Sequence, residues 1–185
     1  MVTIGSLWLA ILVSAVLVWL ASAVVWMVLP HHKKEFRGLP DEEAARQVLG
    51  KQGLTPGIYN IPHCDSQAQM KDPAMLQKWK DGPVAFLTVM PGGVPSMGKN
   101  LVQTFVVYLL VGVMVAYVTG RTLAPGTDYL QVFRIAGTTA WLAYGFAYLQ
   151  DAVWFGKPWA STIKALFDAL IYALLTAGVF GWLWP

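Results

Sequence analysis

Residues 163–184 carry two registered patterns at once, and together they restrict what the chain can build. Ala165, Ala169, Ala173, Ala177 and Gly181 recur every fourth residue, a ridge of the small-xxx-small kind that lets membrane helices approach closely. Lys164, Asp168, Tyr172 and Thr176 stand one residue earlier in each turn, a polar stripe about 100° round the helix. Leu166, Phe167, Leu170, Ile171 and Leu174 fill the remaining side and suit lipid. A helix with such an inside and outside needs other membrane helices to face.

Composition agrees. The chain is 56% hydrophobic and 12% charged, against about 45–50% and about 25% for soluble domains, which places it among integral membrane proteins. Trp154, Phe155, Trp159, Trp182 and Trp184 cluster near the ends of apolar runs, where an aromatic belt sits at the membrane interface. The formal charge is +3, but the basic residues are interleaved with acidic ones beside apolar runs. That pattern argues against a nucleic-acid partner and makes the lipid bilayer the expected surroundings. Cys64 is the only cysteine, which excludes an intrachain disulfide and any CxxC motif.

Residues 4–29 hold no charged side chain and extend about 39 Å as a helix, beyond the roughly 30 Å hydrocarbon core. Met1 to Ser6 lack Lys and Arg, and the run exceeds the roughly 7–15 residues of a signal-peptide core, so it is expected to remain as a span. Pro30 ends it, and His31, His32, Lys33, Lys34 and Arg37 follow. By the positive-inside rule this cluster belongs in the cytoplasm. Residues 30–99 hold nine of the thirteen Lys and Arg and seven of the ten Asp and Glu, so they are expected to be water-exposed. Helices are predicted over 40–52 and 72–80, and strands over 57–61 and 84–89.

Further spans are predicted over 100–119, 130–149 and 163–184. Arg134 lies early in the third, and Ala136, Gly137, Ala140, Ala143 and Ala147 make it the natural partner of the last. The expected fold is therefore an all-α membrane protein. Four transmembrane helices carry a small α+β extramembrane domain (30–99) between the first and second. Alternation puts residues 150–161, the predicted connection before the last span, on the same side as 30–99. The expected location is a membrane, crossed several times, and the cytoplasmic membrane if the source is bacterial.

Asp168 is the sharpest chemical candidate, because ionisable residues inside membranes are costly and usually paired. Lys164, Gln103 and Tyr148 are its expected partners, and a proton or cation site is the functional alternative. With Tyr172 and Arg134 these residues form the candidate intramembrane polar site. Arg134 falls near the opposite face, where Asp128 or headgroups would pair it. His31, His32, His63, Cys64 and Asp65 are suitable ligand types, but their spacing matches no metal signature. No metal and no cofactor are predicted. No span contains a histidine for haem, and no nucleophile elbow, zincin or phosphate-loop motif occurs. The expectation is a non-enzymatic subunit or assembly partner that binds another protein, or a second copy, through small-residue helix faces. A small oligomeric transporter or proton conductor using Asp168 is the alternative.

Overall fold

A computed structural model describes the whole chain, Met1–Pro185. Its elements are α1 (Ile4–Val28), α2 (Glu42–Lys51), β1 (Gly57–Ile61), α3 (Gln67–Met70), α4 (Pro73–Asp81), β2 (Ala85–Val89), α5 (Met97–Thr122), α6 (Tyr129–Gly145), α7 (Ala147–Phe155) and α8 (Trp159–Trp182). They form two compact units, Met1–Phe36 with Ser96–Pro185, and Arg37–Pro95.

The first unit is a helix bundle. Trp19 Nε1 donates to the Leu101 carbonyl at 3.1 Å, and the Val2 N–H donates to the Gly120 carbonyl at 3.1 Å, so α1 and α5 run antiparallel. α6 and α8 do the same, with Gly145 against Ala169, Gly137 against Ala177, and Gly181 under the Tyr129 ring. A side chain on Gly181 would begin 2.6 Å from that ring. Lipid offers no hydrophobic drive between helices, so such close backbone approach is what holds them. Ala165, Ala169, Ala173 and Ala177 are all buried, while Phe167 and Leu174 are exposed. The small ridge is thus taken up inside the chain.

α1, α5 and α8 are long and apolar enough to cross a membrane. α6 is shorter: 17 residues reach about 25 Å, less than the roughly 30 Å core. The helical ladder of the predicted 130–149 span is interrupted at Phe146, beside the glycine that lets α8 come close. It resumes as α7, so the expected connection over 150–161 is helical as far as Phe155. Gly156 ends α7 in the left-handed region at φ 67°, a conformation glycine adopts without a Cβ penalty. Pro158 then caps α8.

The second unit is thin. β1 and β2 pair antiparallel, with Gly57 opposite Val89 and Ile61 opposite Ala85, where the sequence predicts strands. Asp41 caps α2 by accepting the Ala44 N–H, and Asp72 caps α4 ahead of Pro73, as short polar N-caps do. Tyr59, Leu87 and Val89 on the strands, Ala45 and Leu49 on α2, and Met75 and Trp79 on α4 are half-buried. No residue from Arg37 to Pro95 is buried.

Candidate functional site

The site begins where α1 stops. Its last turn, Val24–Val28, is π-helical, and the Leu29 N–H reaches the Val24 carbonyl at 3.0 Å. Pro30 lacks an N–H and forces Leu29 into the extended region, as a residue before proline tends to be. A 3₁₀ turn over Pro30–His32 follows, and the Glu35 N–H donates to the His32 carbonyl at 3.0 Å. This tight reversal turns His31, His32 and Glu35 back toward α8.

Asp168 receives them. His31 Nε2 lies 3.1 Å from its Oδ1 and His32 Nε2 lies 2.6 Å from its Oδ2. The His32 and Asp168 side chains are each only 4% exposed, and that of His31 is 30% exposed. His32 Nδ1 faces Glu35 Oε1 at 2.9 Å. Lys164 Nζ stands 3.3 Å from the same Glu35 oxygen and donates to the His31 carbonyl. Trp26 stacks on His32, with centroids 4.0 Å apart and planes 4° from parallel. Burial pushes the Glu35 carboxyl up, but hydrogen bonds and charge from His32 and Lys164 outweigh it. The net effect holds Glu35 below the ordinary glutamate range.

The sequence-predicted residues separate around this cluster. Lys164 joins it, but through Glu35 and a backbone carbonyl rather than through Asp168. Tyr172, one turn further along α8, is buried with Tyr108 and Tyr144, at centroid distances of 6.2 and 5.9 Å. Its hydroxyl has no hydrogen-bond partner. Gln103 is exposed on α5 and Arg134 is exposed on α6, beside a groove with Thr138, Trp141 and Leu174. Tyr148 is half-buried beneath the Lys157 ammonium, 4.7 Å from its ring centroid. His63 pairs with Asn60 and Asp65 inside the second unit.

Trp26 also lines an open groove of about 460 Å³ with Ser22, Asn100, Thr104, Tyr108 and Tyr148. Sequence reasoning missed His31 and His32 as partners of Asp168, and Glu35 and Trp26 as the groups that hold His32. A signal was present, since the span alternation expected from the sequence puts the segment after Pro30 and the start of the last helix at the same membrane face. Comparison with protein families, with characterised proteins and with solved structures finds no match.

Proposed function

We propose that the protein is a four-span membrane component that works as a non-enzymatic subunit or assembly partner, with Arg37–Pro95 as its recognition unit. One observation carries this reading: 59 residues with two strands and three helices contain no buried side chain. Segments of this size are marginal even with a core. Ile58 is 76% exposed on the sheet, and the partner we propose completes what the unit lacks.

Charge favours a protein as that partner. Arg37, Arg46, Lys51, Lys71, Lys78 and Lys80 are balanced by Asp41, Glu42, Glu43, Asp65, Asp72 and Asp81. A neutral, partly apolar surface gives an anionic bilayer or a nucleic acid little to hold. The small ridge of α8 is occupied by α6, which leaves the second unit as the surface offered. Ile58→Glu changes no buried contact and is expected to release the protein that co-purifies after mild detergent extraction. Retention of the same protein by the folded variant would sink the reading.

The fourth span in this proposal is α6 continued into α7. It is supported by the antiparallel run of α6 along α8, from Tyr129 at Gly181 to Gly145 at Ala169. Four spans put both termini on one side and Cys64 on the other, with the basic cluster in the cytoplasm. A membrane-impermeant thiol reagent should leave Cys64 unlabelled in intact cells and label it after permeabilisation. Labelling in intact cells would reverse the sidedness.

A further inference from the structure

We infer that His31, His32 and Asp168 form a binding site for one divalent transition-metal ion, with Glu35 as its positioning residue. The two imidazole nitrogens and the carboxylate oxygen available as ligands all lie within 4.8 Å of one another. Two imidazoles and one carboxylate are the donor set of zinc sites with an open position and of related iron sites.

The outer contact of His32 points the same way. Its Nδ1 and Nε2 each face a carboxylate oxygen, at 2.9 and 2.6 Å. A metal-bound histidine is held in this way, its outer N–H donating to a carboxylate that fixes its tautomer and orientation. Glu35 occupies that outer position, and Lys164 holds Glu35 in turn.

Asp168 and Glu35 set two carboxyl groups against the single Lys164 ammonium in this cluster, a balance that favours a cation. Ligands about 2.0–2.1 Å from a tetrahedral ion are roughly 3.3 Å apart. The two imidazole–carboxylate separations are 3.1 Å, to Oδ1, and 2.6 Å, to Oδ2, so the His32 contact must lengthen for an ion to enter. Trp26 lies parallel to that ring, with centroids 4.0 Å apart. His31, the most exposed of the three, gives the ion a way in.

The test uses the full-length protein with a tag free of histidine, in detergent, stripped with a chelator and titrated with Zn²⁺ and with Co²⁺. The expected result is one ion per chain, with a Co²⁺ ligand-field spectrum of low coordination number. Glu35→Gln keeps all three ligands and should bind about 10–100-fold more weakly, whereas His63→Ala should bind as the wild type does. Failure of the folded wild type to bind an equivalent of either ion would overturn the inference. Undiminished binding by Glu35→Gln, or weakening only in His63→Ala, would overturn it as well, by placing the ion elsewhere.

Discussion

Asp168→Ala is expected to lower the stability of the solubilised protein by roughly 2–6 kcal/mol, since two hydrogen-bond partners are left unsatisfied at about 1–3 kcal/mol each. Both oxygens of the carboxylate are engaged, by His31 and His32. Truncation therefore leaves two imidazoles facing a void at the end of the bundle, and it releases the turn after Pro30 from α8. Asp168→Asn should cost less, about 1–3 kcal/mol. The amide keeps the size and one accepting oxygen but presents an NH₂ to the second ring. Unfolding in mixed micelles measures both. In a double-mutant cycle, His32→Ala with Asp168→Ala should lose less than the sum of the single losses, with a coupling of about 0.5–3 kcal/mol. Simple additivity would show that the pair does not hold the bundle together.

Ala177→Leu is the second large expected effect. Ala177 is fully buried, and its Cβ lies 3.2 Å from where a side chain on Gly137 would begin. Three added carbons have no space there, so α6 and α8 must separate or adopt strained rotamers, at about 1–3 kcal/mol. Phe167→Ala removes far more atoms, but from a side chain 60% exposed on the opposite side. In detergent it should stay within about 0.5 kcal/mol of the wild type. Equal losses would contradict the facing of α8.

These two residues differ in how visible they are in the sequence. The ridge is a local property, because small residues every fourth position share a helix face whatever the helix packs against, so the inside of α8 can be read from its own residues. The strands at Gly57–Ile61 and Ala85–Val89 are legible for a similar reason, as short apolar runs bounded by Gly and Pro. The partners of Asp168 are not local: His31 and His32 lie 137 and 136 residues away. Only the three-dimensional end of the bundle joins them, and Lys164, the near neighbour in sequence, bonds elsewhere. The interruption at Phe146 is not legible, because a glycine such as Gly145 within a run of small residues reads as a packing position as readily as a helix stop. The close approach of α8 to Gly145 is a tertiary fact. The thinness of the second unit's interior is legible as well, because two strands and two short helices offer only a small core to a segment of this size.

The central claim is that Arg37–Pro95 is completed by another protein, and the mass of the intact particle tests it most directly. Wild-type protein extracted from its native membranes in mild detergent should give, by native mass spectrometry, a particle containing one or more chains of a second protein. Ile58→Glu should give the single chain. A wild-type particle that is strictly one copy of this chain, with nothing else retained, would contradict the account.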